Sequence, residues 1–296
     1  MTYRVQNHPG YARKLGMRVV SLVPSITETL AECGVNLVAR TRFCAHPESI
    51  RSLPAVGGTK DLKLEKLTEL APDLLILDRE ENLPWMKDQA PCAVHVFHAV
   101  SVEGMAEELL KLASVLEAGV PGTANAVSAL RNLAERYSLV AERPRPNWRF
   151  DRVPGIWELV GSRNLSVPQS SPASAVIKDP SIESHLLNLP EVKKLIYVIW
   201  KNPWMRVGSG TYIYSVLEHL GAGEFISESA SAGKYPTFEL ADFSADECFF
   251  MFSSEPYPFA KHPEQISELG LQAAIVDGEG YSWFGIRSLR FLEANK

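Results

Sequence analysis

From residue 18 onward the chain switches repeatedly between two hydrophobic periods. Residues 18–23 (RVVSLV) form a short β-branched apolar run that predicts a strand. Pro24-Ser25 interrupts it, and Ile26, Leu30 and Cys33 then recur at helical spacing until Gly34 stops the run. The same change of period follows downstream: Leu64, Leu67 and Leu70 share one helical face, Pro72-Asp73 punctuates, and residues 74–77 are fully apolar. Ala93–Phe97 predicts another strand, and Met105, Leu109 and Leu112 mark the helix after it. Strands alternating with helices predict a parallel sheet covered on both faces.

Between 122 and 142, Ala124, Val127, Leu130, Leu133, Ala134 and Tyr137 follow one another without an internal Pro or Gly. That predicts a continuous helix of about 20 residues and 30 Å, long enough to cross a domain boundary. Residues 143–190 then hold seven prolines and little periodicity, with 169–174 (QSSPAS) typical of a surface loop. Trp148, Phe150 and Trp157 within this stretch argue that part of it packs down. The first pattern returns at 195–200 (LIYVIW), followed by a helix over 211–220 and a Gly-Ala-Gly stop, so that 26–34 and 212–221 are equivalent units of two halves. A weaker echo relates 64–77 to 240–252, with Cys248-Phe249 in place of Pro-Asp. The predicted layout is a polar lead-in over 1–17, an α/β lobe over 18–121, a connecting helix over 122–142, a Pro-rich insertion over 143–194 and a second α/β lobe over 195–296.

Charge narrows the partners. Thirty Lys and Arg against 35 Asp and Glu give a formal charge of -5, and no basic stripe suited to a nucleic-acid backbone is present. Four widely spaced cysteines, Cys33, Cys44, Cys92 and Cys248, fit neither a disulfide framework nor a zinc site and read as reduced, mostly buried thiols. No window of about 18 apolar residues predicts a membrane span. Residues 1–16 carry His8, Pro9, Gly10, Arg13 and Lys14 where a secretory leader would need an apolar run, which predicts a cytoplasmic protein, with a periplasmic or cell-surface one as the alternative if the true start lies upstream.

Several stretches in one colinear order resemble the helical-backbone metal-receptor family, the vitamin B12 and iron-siderophore binding proteins of ABC importers. They are 18–34 (RVVSLVPSITETLAECG), 40–48 (RTRFCAHPE), 56–60 (VGGTK), 64–77, 199–205 (IWKNPWM), 253–259 (SSEPYPF) and 277–285 (DGEGYSWFG). The resemblance implies an α/β fold: two Rossmann-like lobes with parallel sheets, joined by one long α-helix, with a ligand cleft between the lobes. It implies a corrinoid or metal chelate as ligand, no intrinsic cofactor and a monomer. Open α/β sheets bind ligands at the carboxyl ends of their strands. The ligand contacts it implies are Ser25, Phe43, His46, Gly58, Thr59, Glu81, Asn82 and Trp85 in the first lobe, with Trp204, Met205, Glu279, Tyr281 and Trp283 in the second. Family members dock their permease through one exposed Glu on each lobe. Glu65 matches the first, whereas the second place, in 235–243 (YPTFELADF), reads Ala241 followed by Asp242, which leaves Asp242 or Glu239 as the substitute and weakens the case for a permease partner.

Individual residues admit more than one reading. His46, two residues after Cys44, suits a metal or cobalt ligand as well as a hydrogen bond within its own loop. His95 and His98 fall on opposite sides of a strand and do not form a joint site, and 207–211 (VGSGT) reads as a helix cap by Ser209 or Thr211 rather than a phosphate cradle. No GxSxG elbow supports a hydrolase. The sequence therefore predicts a non-enzymatic binding protein. A cytosolic enzyme that modifies a corrinoid or tetrapyrrole is the alternative, with Glu81 or Glu279 as general base, and a bare metal-ion receptor finds too few clustered His and Cys.

Overall fold

The computed structural model describes residues 16–119, 122–150, 153–160, 192–226 and 233–295. The polar lead-in up to residue 15 and the loop segment 169–174 lie outside the described residues. The chain divides into two compact units, Met1–Phe97 with Lys111–Arg131 and His98–Leu110 with Asn132–Lys296.

The first unit is built on β1 (Val19–Ser21), β2 (Leu37–Ala39), β3 (Leu74–Asp78) and β4 (Ala93–Phe97), all parallel in the order β2-β1-β3-β4. Helix α1 (Pro24–Glu32) opens on a proline, tolerated there because the first N–H of a helix has no intrahelical partner. Helices α2 (Leu64–Leu70) and α3 (Pro84–Asp88) cover one face of the sheet. Because residues two apart on a strand share a face, Val20 and Leu22 join Leu75 and Leu77 against Leu67 of α2 and Met86 of α3.

The two long helices, α4 (Val102–Gly119) and α5 (Ala124–Glu142), each contribute residues to both units. The single-connector expectation named only the second of them.

The second unit orders its sheet β5-β9-β8-β6-β7, with β5 (Ile156–Val160), β6 (Lys194–Trp200), β7 (Met205–Arg206), β8 (Cys248–Ser253) and β9 (Gln272–Val276). Its middle strands β6, β8 and β9 are parallel, while β5 and β7 at the two edges are antiparallel to their neighbours. The expected parallel sheet is thus present, extended by one antiparallel strand at each edge. β7 returns directly after the turn 201–204, and β5 comes from the stretch taken as an insertion, so neither belongs to a strand–helix–strand repeat. Cys248-Phe249, expected as punctuation, instead opens β8. Helices α6 (Tyr212–His219), α7 (Gly223–Ile226), α8 (Pro263–Ser267), α9 (Gly278–Ser282) and α10 (Ile286–Ala294) complete the unit. Thr211 caps α6, its hydroxyl accepting from the Tyr214 N–H at 3.2 Å. One face of the sheet buries Ile196, Val198, Phe250, Phe252, Ala273 and Ile275. Against the other unit-2 elements, Phe150 meets Phe225 and Phe249 edge-on at 5.0 and 5.8 Å, and Trp148 follows at 6.1 Å. The described start of the Pro-rich stretch is thus core.

Trp148 is 8% exposed, yet its indole N–H has no hydrogen-bond partner among the described residues. Its worth lies in ring burial, partly offset by that stranded donor. Trp148→Ala is expected to cost about 3 kcal/mol in urea unfolding and Trp148→Phe about 1 or less. Equal losses for both would place the worth of Trp148 in the N–H.

Candidate ligand-binding site

In the first unit the strand ends are organised by short side chains. Asp78, the last residue of β3, is buried, and its Oδ1 accepts the backbone N–H groups of Glu80 at 2.8 Å and Glu81 at 3.0 Å. Asn82 closes the turn: its Oδ1 accepts the Asp78 N–H at 2.8 Å and its Nδ2 donates to the Thr59 carbonyl at 2.7 Å. The loop that carries Glu81 is therefore tied to the loop that carries Thr59. Desolvation, reinforced by the Asp78 charge, raises the Glu81 carboxyl above its ordinary value, although the residue as a whole lies at the surface. After β2, the Arg42 N–H donates to the Gly57 carbonyl at 2.8 Å, and Arg42 pairs with Asp61 at 2.6 Å. Gly58 permits this approach, since a Cβ there would collide with Asp61 Oδ1 and come within 2.9 Å of the Phe43 ring. The Phe43 ring, 51% exposed, lies under the Arg42 guanidinium at 4.7 Å. Cys44 donates its thiol to Thr27 Oγ1 at 3.3 Å and fixes the base of the same loop.

In the second unit the parallel strands β8 and β9 end side by side, and three carboxylates follow them: Glu255, Asp277 and Glu279. Gly278 lets the two loops touch, because a Cβ there would collide with Ser253 Oγ and stand 2.9 Å from Glu255 Cγ and N. The Gly278 N–H donates to Ser254 Oγ at 2.9 Å. Glu255 accepts from the Ser282 hydroxyl at 3.2 Å. Desolvation, with the charge of Glu279 next in weight, pushes the Glu255 carboxyl up to about 7. Glu279 pairs with Arg287 at 2.7 Å, and the same guanidinium lies 5.2 Å over the Trp283 ring. Asp277 is raised mainly by desolvation. Behind this face, Tyr137 of α5 donates its hydroxyl to the Gly285 carbonyl at 2.7 Å and accepts the Gly285 N–H at 3.1 Å, with Tyr212 3.0 Å away and donating in turn to Ser288.

The expected contacts divide by position. Ser25 is buried in the first turn of α1, where its carbonyl accepts the Thr29 hydroxyl at 2.9 Å. His46 is half-buried in the loop after β2, and Trp85 packs partly against the first-unit core. Thr59, Glu81 and Phe43 stand at that unit's strand ends, whereas the amide of Asn82 is spent on shaping the loop. Trp204 stacks on Phe259 at 6.2 Å as part of the second-unit core, with Lys201 5.6 Å over its ring, and Met205 is half-buried in β7. Tyr281 is corrected: it is 0% exposed, its hydroxyl donates to the Pro154 carbonyl at 2.7 Å, and its ring lies between Tyr197 and Phe291. A fully buried ring offers a ligand no face in this conformation. Glu255 and Tyr137 were missed; the only sequence signal for Glu255 was its place in SSEPYPF after an apolar strand. Among the described residues, no group of three or more His, Cys, Asp and Glu is placed to hold a metal ion.

No protein-family model matches the chain. A vitamin B12-binding protein of Photorhabdus laumondii is 27% identical over 146 residues, which is 47% of this chain and 52% of that protein. One from Vibrio campbellii is 24% identical over 204 residues, 62% of this chain and 71% of that protein. The chain thus spans about half the length of the first of these relatives. Among solved structures, the periplasmic vitamin B12 binding protein of Vibrio cholerae aligns with a TM-score of 0.61 at 15% identity, covering 94% of both chains. The periplasmic heme binding protein of the same organism aligns with a TM-score of 0.61 at 17% identity, covering 94% of this chain and 96% of that one. At such identities the structural likeness establishes the shared α/β fold. It also overturns the cytoplasmic expectation: the solved receptors are periplasmic, and the polar character of residues 1–16 is no counterweight. Of the two expected docking positions, Glu65 is exposed in the first turn of α2. Asp242 is exposed as well, but its carboxylate accepts the Glu239 N–H at 3.0 Å in a reciprocal cap of a short helical turn. No described helix is long and apolar enough to cross a membrane.

Because Glu255 holds its proton more tightly in the fold than in the unfolded chain, its contribution is fully favourable below pH 4.5 and is lost as pH rises through about 7. Glu255→Gln is therefore expected to match the parent protein near pH 5 and to exceed its unfolding free energy by about 1 to 3 kcal/mol at pH 8. A stability difference independent of pH would contradict the buried, crowded carboxyl.

Proposed function

We propose that the chain is a non-enzymatic, periplasmic or cell-surface binding protein that takes a corrinoid, or a related metal chelate, at the carboxyl ends of its strands. The observation that carries this reading is the local sequence kinship to vitamin B12-binding proteins. Half-buried Trp283, edged by Glu255, Glu279 and Arg287, supports it, because it pairs a flat apolar surface with hydrogen-bonding groups suited to the amide rim of a corrinoid. Phe43, with Thr59 and Glu81 on the neighbouring loops, offers the same combination on the first unit. His46 is the candidate axial group among the residues singled out in the sequence.

Equilibrium dialysis with cyanocobalamin, cobinamide and haemin tests the proposal. One corrinoid per chain, recovered with its mass unchanged, is expected, and Trp283→Ala should weaken binding by about 1 to 3 kcal/mol through lost apolar contact. Failure to bind any of the three would remove the reading, and a corrinoid recovered with an altered mass would replace it by an enzyme.

A permease is the proposed partner, met through Glu65 on the first unit and through Asp242, supported by Glu239, on the second. Glu65→Ala is expected to leave corrinoid affinity unchanged while reducing capture by the importer in vesicles severalfold. Undiminished capture in the Glu65→Ala, Asp242→Ala double variant would show that docking lies elsewhere.

A further inference from the structure

Two of the aromatic rings at the strand ends are mounted in the same way. In the second unit the Arg287 guanidinium, from the first turn of α10, lies 5.2 Å over the Trp283 ring and is gripped by Glu279 at 2.7 Å. In the first unit the Arg42 guanidinium lies 4.7 Å over the Phe43 ring and is gripped by Asp61 at 2.6 Å. Cations also lie over Trp204 and Phe243, but those rings pack against the second-unit core. We propose that the guanidinium is a working part of each platform: Arg287 is a positioning residue for Trp283, and Arg42 for Phe43, each covering one face of its ring and presenting the other to the ligand. That a ligand is met there rests on the function proposed above; the mounting of the rings does not.

The backbone of Trp283 is already fixed, its N–H donating to the Glu279 carbonyl at 2.9 Å and its carbonyl accepting the Ser288 N–H at 3.2 Å. What the backbone leaves open is the side-chain torsions of a half-buried indole. A planar guanidinium attracted to the negative face of the ring narrows those torsions. Glu279 keeps the guanidinium in place, the side chains of Arg287 and Glu279 being only 27% and 26% exposed. A ring ordered before the ligand arrives loses less freedom on binding, so the same apolar contact gives a higher affinity. At Phe43 the ion pair is 54% exposed on both sides, where water screens it, and the grip of Arg42 is the weaker of the two. There the absent side chain of Gly58 makes room, since a Cβ would come within 2.9 Å of the ring and 3.0 Å of the guanidinium carbon.

The first arm of the test needs no ligand. Trp283 emission, taken as the difference between the parent protein and Trp283→Phe, is titrated with acrylamide. Arg287→Ala is expected to raise its quenching constant roughly twofold, because a second ring face becomes open to the quencher. The second arm measures cyanocobalamin affinity by equilibrium dialysis. Arg287→Ala should bind about three- to tenfold more weakly although more of the ring is bare, and the deficit should persist when Glu279→Gln removes the charge left behind. In a Trp283→Ala background the same Arg287→Ala change should have no further effect, since Arg287 acts through the ring. Arg42→Ala is expected to weaken binding about two- to threefold and to lose that effect in a Phe43→Ala background. Where Arg287→Ala folds poorly, Glu279→Gln alone carries both arms, with smaller changes in the same directions. Unchanged quenching overturns the proposal, and so does unchanged or tighter binding in Arg287→Ala. An equal loss in either aromatic-to-Ala background overturns it as well, because the guanidinium would then be a direct ligand contact. Absence of cyanocobalamin binding to the parent protein would instead strike the proposed function, and the quenching arm would still decide whether Arg287 covers the ring.

Discussion

Because β6, β8 and β9 run parallel in one sheet, their carboxyl ends arrive at one edge, and the residues that follow them are forced into company. Parallel strands cannot be joined by tight hairpins; each return must travel back over the sheet, which leaves the loops at the carboxyl edge free to carry chemistry. Trp200 hands the chain to the 201–204 turn, Ser253 to Glu255, and Val276 to Asp277. The same rule gathers the ends of β1 and β3 in the first unit, where Asp78 and Asn82 shape the loop of Glu81. Each candidate face is thus a consequence of strand direction before it is a consequence of any one side chain.

Strand direction also explains an electrostatic tension. Carboxylates on neighbouring parallel strand ends lie close whatever their separation in sequence, and Glu255 and Glu279 meet in that way. Arg287 relieves Glu279 directly, leaving Glu255 as the group that absorbs the remaining repulsion by holding its proton. A fold selected only for stability would place an uncharged acceptor there. Stored unfavourable electrostatics beside an accessible aromatic ring is the pattern expected where a surface has to meet a partner.

The sequence made most elements legible and the site only in part, for a physical reason. β3 and α2 announce themselves through local period, since Leu74, Leu75, Ile76 and Leu77 are buried on both faces and Leu64, Leu67 and Leu70 return on one side of a helix. β5 does not, because its five residues gain their structure from β9, more than a hundred positions away. The loops quoted in the resemblance do flank the strand ends, but local pattern does not say which of their side chains turn inward: the Tyr281 ring lies in the core, and the Asn82 amide ties its own loop together. Glu255 went unnoticed because what singles it out is the proximity of Glu279, Ser282 and Trp283, a relation that no local period encodes.

The loop of Trp283 finally has two supports of different character. On the inner side, the Tyr137 phenol satisfies both the N–H and the carbonyl of Gly285, two residues beyond Trp283, and full burial drives its ionisation far above the physiological range. That anchor is the same at every pH the protein meets, and it fixes the backbone on which the indole is mounted. On the strand side, Glu255 accepts from the Ser282 hydroxyl at 3.2 Å, one residue before Trp283, while desolvation and the Glu279 charge raise its carboxyl. The loop that carries Trp283 is thus mounted on one anchor that is neutral and fully buried and braced by a second that bears the crowding of the strand ends.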